Sequence, residues 1–232
     1  ARGPVGTASA ACASGTLALG MALDALRCGE VPAAVAGGAD VLCRLTYGGF
    51  NSLRAVDERP CRPFRSDRAG KSLGEGAAAL VLEPLPDARA RGAEVLAILA
   101  GAGSAADAHH MTAPHPEGDG AARAMARALA DAAVAPDEIA FVNAHGTGTP
   151  HNDLAEWRAM ERVFGTRAGE IPVTATKGSV GHLLGSAGAI EAVATVLSLL
   201  HGEVPPTPGG GEADPATPVR LAAGDQARVR RV

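Results

Sequence analysis

The chain has 232 residues, a formal net charge of −4 and a sequence pI near 6.0, and it is 47% hydrophobic but only 3% aromatic. That length supports one large or two ordinary domains, and with 30 glycines and many alanines the core rests on close backbone packing more than on large rings. The charge balance offers no nucleic-acid surface and no polybasic membrane patch.

Four cysteines (Cys12, Cys28, Cys43, Cys61) form no C-x-x-C pair, and a chain of this length needs no disulfide staples. A reducing, cytoplasmic compartment follows as the expectation. The start carries no basic region followed by an apolar run. The longest greasy stretch, 187–200, contains Glu191 and is too short to span a bilayer. We therefore expect a soluble protein with neither membrane nor nucleic acid as partner. The sequence opens on Ala1, not on methionine, so further chain upstream is expected.

Taken in order, the pattern first gives a small-residue stretch, 6–15, that runs into a helix over 13–27. Cys12 stands where an extended segment turns into that helix. Small neighbours leave its sulfur reachable, and the helix start supplies free N–H groups that favour thiolate over thiol. Cys12 fits two roles at this point, a placed nucleophile or a small buried hydrophobe. The helix is apolar on nearly every face, which predicts burial all round, and Gly29 stops it. A buried strand over 33–40 follows, then a polar loop over 48–68, a second buried strand over 77–83 and a short helix over 86–91. A strand over 95–102 opens a second half. A helix over 118–133 leads to a turn at Pro136 and Asp137, and a strand over 139–143 runs into Ala144-His145-Gly146-Thr147-Gly148-Thr149. A helix over 153–164, a strand over 171–175 and a helix over 187–201 complete the pattern before a Pro/Gly-rich tail. Short apolar strands alternating with helices predict an α/β class.

One internal echo stands out. Cys28-Gly29-Glu30-Val31-Pro32 closes the first helix and His201-Gly202-Glu203-Val204-Pro205 closes the last. The same offset of 173 aligns Gly15 with Gly188, Leu17 with Ile190 and Leu26 with Leu199. It is either chance in an Ala/Gly-rich chain or the trace of two similar halves. In the second case, Cys12 heads one central helix and His182 lies just ahead of the other.

Two further segments can carry chemistry. His145 follows a strand amid glycines that let a ligand approach the backbone, and Lys177 with His182 follows another strand in the same manner. Each taken singly fits a structural histidine or a solvated lysine; three such turns together point to a site. Ala69-Gly70-Lys71-Ser72 is not a phosphate-binding loop, because Arg65 stands where that loop needs glycine. His109, His110 and His115 do not fall at a metal-ligand spacing, so no metal site is expected.

Ala11-Cys12-Ala13-Ser14-Gly15, Val142-Asn143-Ala144-His145-Gly146-Thr147-Gly148-Thr149 and Lys177-Gly178-Ser179-Val180-Gly181-His182-Leu183-Leu184-Gly185 together resemble the β-ketoacyl synthases of the thiolase-like fold. The likeness is to the elongating enzymes of bacterial fatty-acid synthesis and their polyketide relatives, and it covers almost the whole chain. It implies a layered αβαβα fold with two similar halves, incomplete here: residues 1–91 as the remainder of the half carrying the nucleophile, and 92–232 as the half carrying the His/Lys/His motifs. It implies that Cys12 accepts an acyl group, that His145 and His182 polarise a malonyl thioester, and that Lys177 is buried and paired with Glu191. Thr147 and Thr149 match threonines that bind a pantetheine arm, and Asp153 and Glu156 match supporting acids. The substrates implied ride on the phosphopantetheine of an acyl carrier protein, with no cofactor of the enzyme's own. The implied assembly is a homodimer or a ketosynthase heterodimer. A non-catalytic chain-length subunit is disfavoured by Cys12, and a cysteine hydrolase by the second histidine and the lysine. The likeness also implies a longer N-terminal portion and a closing Gly-Phe-Gly-Gly turn beyond Arg230-Arg231-Val232. It shows departures at Ala69, Lys71 and Ser72, where an aspartate, an aromatic and an apolar residue are usual.

Overall fold

The computed structural model describes residues 2–226, so the expectations drawn at Ala1 and at Arg230-Arg231-Val232 lie outside the described residues. Helix α1 (Ser14–Arg27) is followed by strand β1 (Ala34–Asp40), helix α2 (Arg44–Ser52), strand β2 (Gly76–Leu82) and helix α3 (Leu85–Ala90). Strands β1 and β2 pair antiparallel, from Ala34 opposite Leu82 to Asp40 opposite Gly76. Burial alternates along β2, while β1 buries Ala36 and leaves Val35 exposed. The expectation of strands buried on both faces is therefore corrected: among the described residues one face is covered and the other is open. The same holds for α1, which buries Gly15, Leu19 and Ala22 but exposes Met21.

Helix α4 (Asp119–Ala132), strand β3 (Val142–Asn143), helix α5 (Pro150–Phe164), strand β4 (Pro172–Thr174), the single turn α6 (Lys177–Val180) and helix α7 (Ala187–His201) follow. The short strands β5 (Glu203–Val204), β6 (Arg220–Leu221) and β7 (Asp225–Gln226) complete the chain. Strands β3, β4 and β6 form a parallel sheet in that order, and β5 pairs antiparallel with β7. Pro150 at the first turn of α5 starts that helix three residues before the pattern does, because proline's fixed φ suits a helix N-terminus.

Two expectations fail locally. Residues 48–52, read as loop, belong to α2, whose Cys43 Sγ accepts the Thr46 N–H at 3.4 Å. Residues 95–102, read as a strand, show alternating burial but form no strand among the described residues. Side chains take over their backbone groups: Arg27 donates to the Ala100 carbonyl at 2.8 Å, and Asp131, itself bound to Arg27, accepts the Ala102 N–H at 2.8 Å. The predicted strand over 139–143 shrinks likewise to its last two residues.

Two cores form. Leu19, Ala22 and Ala36 gather Leu80, Leu82, Leu99 and Ala192 around them, whereas Phe64, Trp157, Met160, Val173 and Val219 build the other. With the 3-10 turn Leu184–Ser186 before it, α7 makes an 18-residue apolar run, long enough by length and composition alone to cross a bilayer and longer than the 187–200 stretch suggested. In the fold it packs on α1, β1 and β2 as a central helix.

Helices α1 and α7 approach closely at two glycines. A Cβ on Gly15 would lie 2.8 Å from the Ala189 nitrogen, and one on Gly188 would lie 2.0 Å from Thr16 Oγ1 and 2.8 Å from the Thr16 nitrogen. The offset that aligns Gly15 with Gly188 also aligns Thr16 with Ala189. Such reciprocity is what a local two-fold axis between the helices produces. Gly188→Val should therefore destabilise the protein by about 1–3 kcal/mol, the usual cost of overpacking. Denaturant midpoints measure it, with Gly48→Ala in α2, whose Cβ meets nothing within 4 Å, as the comparison that holds or raises stability.

Candidate active site

The chain turns into α1 through a backbone that few residues adopt. Ala11 has φ +48°, and Ser14 holds the turn by accepting the Ala10 N–H at 2.8 Å and donating to the Ala11 carbonyl at 2.7 Å. Non-glycine residues in the left-handed region persist where their surroundings hold them. The turn places Cys12 two residues ahead of α1, half-buried. Among the described residues the segment before it carries no strand beyond an isolated bridge at Ala10, and Val5 is exposed.

His145 and Lys177 come from neighbouring parallel strands. The Ala144 N–H donates to the Thr174 carbonyl at 2.8 Å, so β3 and β4 end side by side and release His145 and α6 at the same edge. Open α/β sheets commonly place their sites at this carboxyl edge. His182 is fixed from the other side, its N–H donating to the Ser72 carbonyl at 2.7 Å and its carbonyl accepting the Gly74 N–H at 3.0 Å.

These elements bring Cys12, His145, His182, Lys177 and Glu191 together. Cys12 Sγ lies 3.1 Å from His182 Nε2, the two imidazoles meet edge to face at 5.2 Å between centroids, and Lys177 Nζ lies 3.2 Å from His145 Nδ1. Lys177 also pairs with Glu191 on α7, and it is fully buried, not the solvated charge its position could have given. Asn143 ties this pair to β3, donating to the Glu191 carbonyl at 2.9 Å.

Hydrogen bonds fix the state of both rings. The Leu184 N–H donates to His182 Nδ1 at 3.1 Å, so Nδ1 carries the lone pair and Nε2 the proton. An ammonium has only donors, so Lys177 imposes the same tautomer on His145. Burial, reinforced by the Lys177 and Lys71 charges, pushes His182 down to about 3, and burial with the same cations and His182 holds His145 well below its ordinary value. Both are neutral N–H donors at physiological pH. Cys12, His145 and His182 have the atom types and mutual distances of a metal trio. The second shell points the other way, because a ligating Nε2 would need the proton on Nδ1, where a donor already sits.

At Cys12 burial outweighs the Lys71 and Lys177 charges and a backbone hydrogen bond, so its thiol is raised above the ordinary 9.0. Desolvation of the anion thus opposes the thiolate that the helix start was expected to favour. With Nε2 of His182 already protonated, that ring donates to the sulfur and takes no proton from it.

The predicted supporting acids hold loops. Glu156 accepts the His145 and Gly146 N–H groups at 2.6 and 2.8 Å, and burial raises its carboxyl to about 7 against those donors. Asp153 accepts the Phe64 N–H at 2.8 Å and the Gly148 N–H at 3.2 Å, and burial raises it as well. Thr147 and Thr149 share a hydroxyl hydrogen bond at 2.9 Å, and Cys61 donates to the Thr147 carbonyl at 3.1 Å. Away from the site, His110 and His115 cap their own turns through Nδ1. Sequence reasoning missed the Leu184 N–H, Asn143, Ser14 and Cys61. A backbone donor leaves no trace in residue identity, but Asn143 stood inside a motif already singled out.

Comparison with known proteins agrees with this geometry. Residues 1–88 match the beta-ketoacyl synthase N-terminal domain, and residues 96–210 match the beta-ketoacyl synthase C-terminal domain. The chain belongs to the β-ketoacyl synthase family. It is 42% identical over 221 residues to 3-oxoacyl-[acyl-carrier-protein] synthase 2 of Staphylococcus aureus, covering 93% of this chain and 53% of that protein. The Synechocystis protein of the same name is 43% identical over 222 residues, with the same coverage. The chain spans about half the length of the curated relatives it matches. Among solved structures, the ishigamide ketosynthase/chain length factor superposes with TM-score 0.90 at 43% identity, over 95% of this chain and 54% of that one. A type II PKS acyl-carrier protein in complex with its ketosynthase bound to the hexaketide gives 0.92 at 35% identity, over 96% and 56%. The fold of this β-ketoacyl synthase chain is thiolase-like α/β, as the motifs implied.

A buried neutral histidine weakens the fold in acid. His182 unfolds with an ordinary value of 6.5 and holds about 3 when folded, so below 6.5 the unfolded chain binds the extra proton. Its contribution to stability is complete above that value and is lost as pH falls toward about 3. His182→Asn should therefore show a shallower loss of stability across this window than the parent, read from denaturant midpoints at several pH values. Because both chains keep Glu156, whose raised value acts in the opposite sense between 4.5 and about 7, the difference isolates His182.

Proposed function

We propose that this chain carries the condensing centre of a β-ketoacyl synthase. The carrying observation is a cysteine sulfur 3.1 Å from an imidazole whose Nε2 is held as a donor, beside a second imidazole held in the same way. Cys12 attacks the thioester of an acyl carrier protein; the new bond joins Sγ to the acyl carbon, and the carrier thiol leaves with the proton. A malonyl thioester then loses carbon dioxide, and the electron pair of the broken C–C bond moves into an enolate. The His145 and His182 N–H groups bind the enolate oxygen, where charge develops, so their help is greatest in the transition state. The enolate carbon attacks the acyl group on Cys12, a C–C bond forms, and the thiolate leaves.

Lys177 holds His145 in its donor tautomer, and Glu191 compensates the buried ammonium, a pair expensive to break from one side. Thr147 and Thr149 line the approach of the pantetheine arm, while Glu156 and Asp153 hold the turns that present His145 and the threonines. Residues 1–91 and 92–232 are the two halves of the thiolase-like unit. The protein works in the cytoplasm with an acyl carrier protein and a second ketosynthase subunit, identical or of the chain-length type, and requires no metal. Retention of Cys12 favours the catalytic role over that of a non-catalytic partner. The pathway is one of fatty-acid or polyketide assembly.

Incubation with an acyl-carrier thioester should give an acyl adduct on Cys12 by mass spectrometry, absent in Cys12→Ala. His145→Ala or His182→Ala should keep the adduct and lower malonyl-carrier decarboxylation by about 10²–10³-fold, the usual loss for one oxyanion donor. A thiol that reacts with alkylating agents yet never takes an acyl group would oppose the proposal.

A further inference from the structure

Lys71 has no part in the scheme above, yet it is a cation placed against the site. Its backbone is clamped, the N–H donating to the Ala55 carbonyl at 2.9 Å and the carbonyl accepting the Asp57 N–H at 3.1 Å. The next residue, Ser72, accepts the His182 N–H with its carbonyl at 2.7 Å and the Cys61 N–H with its hydroxyl at 3.0 Å. Lys71 therefore stands one residue from the strand contact that fixes His182, and His182 touches Cys12.

The residue is 9% exposed, and Nζ lies 4.3 Å from the centroid of the Phe50 ring. Among the described residues it makes no ion pair and no hydrogen bond. Lys177, the other buried lysine, has Glu191 and His145; Lys71 has one aromatic face. The ionisable groups that act on it are Cys12, Cys61 and Lys177, and no carboxylate is among them. Burial lowers its affinity for a proton, and its charge is the largest single influence opposing burial at Cys12. An ammonium with three donors and one ring for company, whose Nζ is not sealed from solvent, is open to an anion.

We propose that Lys71 forms an anion subsite beside Cys12 that selects acyl groups carrying a carboxylate over plain alkyl chains of the same length. The identity of the acyl group rests on the condensing reading of the site. The anion subsite itself rests on the placement of Lys71 alone.

A probe of the subsite needs no carrier protein. Iodoacetate and iodoacetamide both alkylate a cysteine: the S–C bond forms, iodide leaves and the thiol proton goes to solvent. Only iodoacetate carries a carboxylate. The rate ratio of iodoacetate to iodoacetamide, measured by peptide mass spectrometry, should be about tenfold higher at Cys12 than at the exposed Cys28 of the same molecule. Lys71→Met should bring the Cys12 ratio down to that of Cys28, and Lys71→Arg should keep it high. Equal ratios at the two cysteines in the parent protein overturn the subsite without recourse to any variant. A high ratio that survives in folded Lys71→Met overturns its assignment to Lys71. In the second arm, succinyl- and butyryl-carrier thioesters compete for Cys12, with succinyl favoured in the parent and not in Lys71→Met. Faster butyryl transfer in the parent overturns the selectivity. Failure of both thioesters to acylate Cys12 counts against the condensing reading, while the alkylation ratio still decides the subsite.

Discussion

Helices α1 and α7 meet with only small side chains between them, and the geometry of the site depends on that contact. Gly15 and Gly188 let each helix start press against the backbone of the other. Cys12 precedes α1 and His182 precedes α7, so the same closeness brings sulfur and imidazole within 3.1 Å. A larger residue at either glycine would push the helix starts apart, because its Cβ would already lie within 2.8 Å of the facing backbone. Close packing of small residues, visible in the Ala/Gly-rich composition, is thus what assembles the chemistry.

Around the sulfur, burial and charge compete, and burial wins even at Glu191, which has Lys177 as its partner. It raises Cys12, Glu156, Asp153 and Glu191, and it lowers His145 and His182. The result is a site in which the histidines stay neutral and serve as donors. Positive charge is kept on the lysines behind and beside them. Lys177 is compensated by Glu191; Lys71 leans on Phe50 alone.

Much of this was legible in the residues. Long helices with clear stops, such as 187–201, end where the pattern says because Gly202 takes a left-handed conformation there. The His145 and Lys177 turns were legible because glycines flank them after apolar strands. The run 95–102 was misread as a strand, since its alternation is real but pairing depends on a neighbour that periodicity cannot announce. Full burial of α1 was misread for a related reason, because an apolar face says only that something can cover it. The desolvation of Cys12 was out of view, because a helix start is visible in sequence and the burial of one sulfur is not. The tautomer of His182 was out of reach altogether, for it depends on one backbone N–H two residues away.

The central claim is that both histidines meet the reacting centre as neutral Nε2–H donors. Nitrogen-15 NMR of the imidazole side chains, recorded from about pH 5 to about pH 8, observes that state directly. The account predicts two rings that keep a protonated Nε2 and a bare Nδ1 across the whole range. A His145 or His182 ring that titrates within it, or carries its proton on Nδ1, would contradict the account.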